Sequence, residues 1–368
     1  MKKIVIISLA TYPSQTPRSF RTDELSRELA NQGHDVTVYV LTGGYDYSEY
    51  SKKNNIKIKS LGDPTFFKYD HKKDINLSFF GKVIRKFFKK YIEFPYIELL
   101  TKTYRALNKE KNIDLLITIG APHPIHWGAA IYRKINQNAL KKTYWIADCG
   151  DPYMGNSFHI RAFYFKYIEK MFCKNADAIT IPIENARSAY YPEFQKKIHV
   201  IPQGFDFGNI KIKKVIVEND VPTFIYAGTF YPNLRDPRPL LNYLLEANLD
   251  FKFLVYTKTR EILKDYEERL EGKLFVFEYL PRTDLIEQMS QADFLLNLEN
   301  ISGVQSPSKL IDYSLAGRPI LSLNTNNMLN IDLINDFLKG NYTKQLVVDN
   351  IENYNIKNVA KSFLSLSE

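Results

Sequence analysis

The residues with the clearest chemical potential lie between Ile301 and Leu321, in ISGVQSPSKLIDYSLAGRPIL. Ser306 can cap a helix whose first position is Pro307, and Gly317 followed by Pro319 ends it, so a helix is expected over roughly 307–316. Its first turn carries Ser308 and Lys309 and no acid. Free N–H groups and the positive end of the helix dipole favour an anion there, and a phosphate held by amides, hydroxyls and a lysine meets that demand. Asp312 follows one turn on. At about 1.5 Å per residue, Ser306 and Asp312 stand roughly 9 Å apart, comparable to the reach from a diphosphate to the hydroxyls of its ribose. The same residues also suit an ordinary capped helix in which Lys309 and Asp312 form an i,i+3 surface pair worth only about a few tenths of a kcal/mol. Both readings stand at this level.

The segment PSKLIDYSLAGRPIL resembles the donor-site signature of glycosyltransferases with the GT-B fold, above all those of family 4. In that family an acidic residue five positions before the glycine binds the ribose, which implies the role for Asp312, five before Gly317. A second family carboxylate, eight residues upstream, contacts the donor sugar; that place is held here by Val304, and the nearest upstream acid is Glu299. The resemblance implies an α/β chain of two doubly wound Rossmann-like domains facing a central cleft. It also implies a nucleoside diphosphate sugar as donor, a lipid-linked or glycan acceptor in bacterial surface polysaccharide assembly, and retention of anomeric configuration. No cofactor or metal is expected, since no D-x-D stands in the strand context of a metal-bridged donor. Two other readings of the same fold are a nucleotide-sugar epimerase and, given Val304, a glycan-assembly partner without turnover.

These residues need strands and loops to position them. Lys3 to Leu9 reads as a buried parallel strand, TYPSQTPRS as the loop after it, 19–32 as a helix stopped at Gly33, and Val36 to Leu41 as the next strand. That is one βαβ half of a doubly wound sheet, whose ligands bind beyond the C-terminal strand ends. It lacks G-x-G-x-x-G, which disfavours a dinucleotide oxidoreductase. The loop and RELANQGHDVTVYV resemble the first loop and following segment of GT-B transferases, which makes Arg18 and Ser19 acceptor-side candidates; His34 is a turn residue. A strand at 114–119 delivers GAPHPIHWGAA to the same edge, where His123 or His126 could orient a donor or acceptor hydroxyl. A strand at 143–147 ends in DCGDPY, where Asp148 and Asp151 could accept the acceptor's proton or, alternatively, satisfy turn amides and cap the next helix. His123 and Asp151 are the catalytic candidates, and His126 and Asp148 join Arg18 and Ser19 on the acceptor side.

A helix near 158–174 leads into ADAITIP, and IHVIPQGFD resembles the family's interdomain hinge, with Gly204 suited to a hinge by its backbone freedom. The domains are therefore expected at 1–205 and 206–351, with a helix at 352–366 returning to the first. Strands near 223–228, 251–256, 274–278, 293–298 and 319–323 make a second α/β sheet. After its first strand, Gly228 and Thr229 open a loop holding Arg235 and Arg238, whose guanidinium groups suit a diphosphate. Arg235 is the first choice, Arg238 can equally form a salt bridge at a helix start, and Lys258 is a further phosphate candidate. The donor-binding set is thus Gly228, Thr229, Arg235, Ser306, Ser308, Lys309 and Asp312. The segment 278–290 occupies the place where the resembling enzymes hold the base through main-chain groups.

The 368 residues suit two domains, and 45% hydrophobic with 25% charged residues describe an ordinary globular enzyme. The net charge of +9 favours anionic partners; phosphorylated small molecules and anionic lipid are expected, and nucleic acid is not. Two cysteines, Cys149 and Cys173, give no disulfide framework and point to a reducing compartment, so a cytoplasmic location is expected. MKKIVIISLA is read as a first strand, because its apolar run is short and no cleavage site follows. Finally, FFGKVIRKFFKKYI at 79–92 has a strong helical period, with Lys82, Arg85, Lys86, Lys89 and Lys90 flanking an apolar stripe. It fits a helix lying on an anionic membrane surface and equally a core helix with a solvated basic face.

Overall fold

The computed structural model describes residues 1–63, 65–66, 79–136, 141–156, 161–208, 218–232, 235–247, 249–299, 308–325 and 328–368, with backbone alone at 79–82, 84 and 308. Val304, Ser306, Pro307 and the start of the expected 158–174 helix lie outside the described residues, as does the side chain of Ser308. Two compact units are formed, Met1–Phe205 with Asn353–Glu368, and Asp206–Glu352.

In the first unit the elements are β1 (Lys3–Ile7), α1 (Pro17–Asn31), β2 (Asp35–Val40), α2 (Ser48–Asn54), β3 (Lys57–Ser60), α3 (Phe79–Ile92), α4 (Glu98–Leu107), β4 (Leu115–Gly120), α5 (Pro124–Ile135), β5 (Tyr144–Cys149), α6 (Phe165–Asn175), β6 (Ala178–Ile181) and β7 (Ile198–Val200). The parallel strand order is β3-β2-β1-β4-β5-β6-β7. The central strands are covered on both faces, which is why IVII and LLITI read as unbroken apolar runs. β3, KIKS, carries no such run because it is an edge strand with three exposed positions.

α1 starts two residues earlier than expected. Thr16 caps it, accepting from Ser19 N at 3.2 Å while Ser19 Oγ accepts from Thr16 N at 2.8 Å, with Pro17 first in the helix. The C-terminal helix (Ile356–Ser365) buries Ile356, Val359, Ala360 and Phe363 in the same cluster as Leu25 and Leu29 of α1, which assigns it to this unit. Gly204 is not in the left-handed region, and a Cβ there would lie 2.5 Å from Ile356 Cδ1 and 3.3 Å from Ile356 Cα and Val359 Cβ, so glycine eases the close packing of that helix.

The second unit contains β8 (Thr223–Ala227), α7 (Arg238–Glu246), β9 (Lys252–Tyr256), α8 (Lys264–Arg269), β10 (Leu274–Phe277), α9 (Arg282–Ser290), β11 (Phe294–Leu298), α10 (Ser308–Ala316), β12 (Ile320–Leu323) and α11 (Ile331–Leu338), and the C-terminal helix above is α12. Its sheet is parallel in the order β10-β9-β8-β11-β12. Gly317, at φ +69°, ends α10 in the left-handed region. Order reverses between β8 and β11, so their C-terminal ends form the switch point where such sheets bind ligands.

Candidate functional site

At that switch point β8 delivers Gly228, whose φ of +149° disfavours any side chain, and a Cβ there would also come 3.2 Å from Tyr226 Oη. Tyr226, buried, donates to Thr229 O at 3.2 Å. The loop then doubles back, with Arg235 N donating to Tyr231 O at 2.8 Å and the Arg235 guanidinium 5.1 Å from the Tyr231 ring. Arg235 Nε is buried and has no hydrogen-bond partner among the described residues. Lys309, on the first turn of α10, brings its Nζ to 4.9 Å from the Tyr226 ring centre, 5.9 Å from that of Tyr313 and 3.5 Å from Leu298 O. None of these replaces the hydration an ammonium loses. Burial, with the Arg235 charge nearby, therefore pulls the Lys309 pKa down to about 7.

Gly228, Thr229, Arg235 and Lys309 thus converge around Tyr226, a residue the sequence did not single out. Tyr313 was missed as well: its hydroxyl accepts from Ala227 N at 3.0 Å and donates to Leu296 O at 3.0 Å, tying α10 to the ends of β8 and β11. Asp312 is partly buried, and its Oδ1 lies 2.7 Å from both Nε and Nη2 of Arg282, a third missed residue. Arg238 is taken by Asp236, with Nε 2.9 Å from each carboxylate oxygen, and Lys258 lies 5.6 Å from the Tyr279 ring.

In the first unit, β4 turns directly into α5, which changes the expected loop. His123 stands at the start of α5 and His126 inside it. His126 is fully buried, its Nδ1 2.7 Å from Thr118 Oγ1 and its Nε2 3.6 Å from Cys149 Sγ. His123 is buried, with Nε2 3.2 Å from Asp151 O and Nδ1 without a hydrogen-bond partner among the described residues. Burial pushes His126 down to about 4 and His123 well below its ordinary value, so both are neutral at pH 7. His123 and Asp151 line a cavity of about 230 Å³ with Glu93, Tyr96, Asn156 and Arg161.

Three expectations are corrected by burial. Ser19 is spent in the α1 capping box and His126 in the core contact with Thr118. Asp148, 2% exposed, does not face the ligand edge but pairs with Arg21 at 3.0 and 3.1 Å and accepts from Thr180 Oγ1 at 2.7 Å. Arg18 remains partly exposed, 3.8 Å from Asp148, and lies so close over Gly150 that a Cβ there would come 2.5 Å from its Cζ. His123, His126 and Cys149 place one donor atom each within 4.8 Å of one another, the group among the described residues with metal-ligand chemistry. Burial raises the Cys149 thiol above its ordinary pKa, and His126 already shares Nδ1 with Thr118, as suits a packed thiol–imidazole contact. Among the described residues no helix is long and apolar enough to cross a membrane.

Two successive doubly wound parallel sheets, with candidate groups at their C-terminal edges, define the GT-B architecture of sugar-transferring enzymes. The chain belongs to glycosyltransferase family 4, whose model matches residues 20–208, just over half of it. Solved structures with a similar fold include a glycosyltransferase from Rickettsia africae (12% identity, TM-score 0.61, covering 100% of this chain and 98% of that one). The lipopolysaccharide outer core galactosyltransferase WaaB is similar at 13% identity and TM-score 0.59 over 99% and 98% of the two chains. Anabaena Alr3699/HepE in complex with UDP-glucose is similar at 9% identity and TM-score 0.56 over 100% and 97%. At such identities the likeness is one of fold. No curated protein sequence matches the chain.

Proposed function

We propose that the protein transfers a sugar from a nucleoside diphosphate donor to a hydroxyl acceptor, in the assembly of a bacterial surface polysaccharide. The observation that carries this is the desolvated Lys309 beside Arg235 at the switch point, one turn before Asp312. A guanidinium beside an amine whose ammonium form is held back by desolvation is well placed to take up the charge of a departing diphosphate, an interaction that strengthens as the glycosidic bond breaks. Asp312 is the ribose ligand, and no metal is needed for this neutralisation. In the first unit, the exposed carboxylate of Asp151 and the neutral imidazole of His123 share a cavity fit for a hydroxyl acceptor. HepE has been solved with UDP-glucose, and WaaB is named for work on lipopolysaccharide, which supports a sugar nucleotide and a surface glycan here too. Retention of configuration is what the resemblance of PSKLIDYSLAGRPIL implies.

Thermal unfolding with uridine, guanosine and adenosine diphosphates tests the donor reading. A nucleotide at a hundredfold excess over its Kd contributes about 2.7 kcal/mol, which raises the Tm by several degrees. The rise is expected for one of the three and is expected to be lost in Lys309→Ala and Asp312→Ala. If none stabilises the parent protein, the proposal is wrong.

We also propose a lipid-linked acceptor reached from the inner face of a membrane. On α3, Phe87 (55%), Phe88, Tyr91 and Ile92 are exposed beside Lys86, Lys89 and Lys90, so the apolar residues are not spent in the core. Apolar side chains rimmed by lysines suit the headgroup layer of an anionic bilayer. The protein should sediment with vesicles containing phosphatidylglycerol, bind several-fold less at high salt, and ignore phosphatidylcholine. Phe87→Ser with Phe88→Ser should abolish sedimentation; unchanged sedimentation would remove α3 from the argument.

A further inference from the structure

The carboxylate that α10 presents is held by a residue from another helix. Arg282 opens α9, which packs against α10 through Leu285, Ile286 and Met289 on one side and Tyr313 and Ala316 on the other. From that fixed start its Nε and Nη2 both reach Oδ1 of Asp312, at 2.7 Å each. Oδ2 has no hydrogen bond among the described residues. An aspartate on a flexible rotamer would share its time among several directions, whereas one pinned at a single oxygen offers the other in a set direction.

We propose that Arg282 is a positioning residue of the donor site: it holds Asp312 through Oδ1 so that Oδ2 is presented to the ribose hydroxyls of a nucleoside diphosphate. The inference rests on the donor reading above and adds to it a residue outside the recognisable segment. Electrostatics point the same way. Burial pushes the Asp312 pKa up, and Arg282 is the group that opposes this, favouring the ionised carboxylate that accepts hydrogen bonds. The other titratable groups facing Asp312 are the phenols of Tyr279 and Tyr313, both raised above their ordinary value and so neutral through the acid and neutral range.

Because the ribose is the target, the effect must separate nucleoside from phosphate. Calorimetric titration of the whole protein with uridine, guanosine and adenosine diphosphates, and with inorganic pyrophosphate, makes that separation. Arg282→Ala is expected to weaken the nucleotide that the parent binds by about tenfold or more, the range for a lost hydrogen bond to a charged group. Pyrophosphate affinity should stay unchanged. Arg282→Lys should recover part of the loss, since an ammonium offers charge without the guanidinium fork. In acid, the affinity of the alanine variant should begin to fall at a higher pH than that of the parent, because Asp312 protonates sooner without its partner. In an Asp312→Asn background the Arg282 change should add little. Equal loss for nucleotide and pyrophosphate, or no loss for the nucleotide, overturns the proposal while leaving the donor site standing. A parent that binds no nucleotide overturns the donor site itself. If Arg282→Ala does not fold, Arg282→Gln, which is shorter and neutral but keeps the aliphatic stem and a polar end, serves the same comparison.

Discussion

Binding of a nucleoside diphosphate is expected to take up close to one proton above pH 7 and to weaken about tenfold per pH unit from there upward. The cause is Lys309. In the free protein its ammonium is desolvated beside Arg235, so it is half deprotonated at about pH 7 and neutral above. A diphosphate laid against it restores the charge and lifts the pKa back toward the ordinary lysine range. Affinity is therefore greatest where the free protein already carries the proton. It falls once binding must recruit one, and levels off when the pH passes the pKa of the complex. The neighbouring phenols do not blur the effect: Tyr226 and Tyr313 are raised above their ordinary values and stay neutral. The terminal phosphate, with a second pKa near about 6, is already fully ionised in this window. Calorimetry in buffers of different ionisation enthalpy counts the proton directly. Lys309→Gln should abolish the uptake and lower the affinity by about tenfold to a hundredfold at pH 7, the range for hydrogen bonds to charged groups. A pH-independent affinity between 7 and 9 in the parent would show that Lys309 does not meet the phosphates.

The same linkage has a sign for the free protein. A lysine whose folded pKa lies below its unfolded one binds fewer protons in the native state between about pH 7 and 10.5, so its contribution to stability rises with pH across that window. A residue placed for binding thus destabilises the unliganded fold at neutral pH, and the ligand removes the cost.

Strand positions were legible wherever burial on both faces writes a continuous apolar run, as in β1, β4 and β8, and helix ends wherever Gly or Pro marks them, as at Gly33 and Gly317. Polar direction was not legible. Asp148 follows an apolar strand and precedes a turn, the local setting of a ligand-facing carboxylate, and nothing within that segment says that Arg21, 127 residues away, will take it inward. His126 reads as a loop residue until Pro124 is recognised as the first helical position, which folds the imidazole back onto Thr118 and Cys149. Arg282 illustrates the converse. Its segment carries no base-recognition signature, and its role appears only once α9 packs beside α10. For Asp148 with Arg21 and Asp312 with Arg282, 127 and 30 residues of chain separate the partners, beyond the reach of local periodicity.

Asp148→Ala is accordingly expected to destabilise the first unit by about 3–5 kcal/mol, the usual cost of leaving one member of a buried ion pair behind. Arg21 is 2% exposed and would retain the carbonyls of Ile201 and Pro202, at 3.2 and 2.5 Å, and the Phe363 ring at 4.8 Å. None of these carries a compensating charge. Thr180 would lose the acceptor of its hydroxyl as well. The measurement can be confined to the unit concerned: the chain has two tryptophans, Trp127 and Trp145, both fully buried in the first unit, the second on the same strand as Asp148. Urea unfolding followed by tryptophan fluorescence therefore reports this unit alone, and the midpoint should drop with the slope unchanged. Replacing both partners, as Arg21→Met with Asp148→Leu, should recover most of the loss, because an apolar pair of similar volume removes the stranded charge together with its partner. The outcome also decides between two roles for this carboxylate. An aspartate that served the acceptor from an open edge would, when truncated, depress turnover and leave the unfolding midpoint in place; one that locks β5 to α1 moves the midpoint first, and any loss of activity follows from the fold.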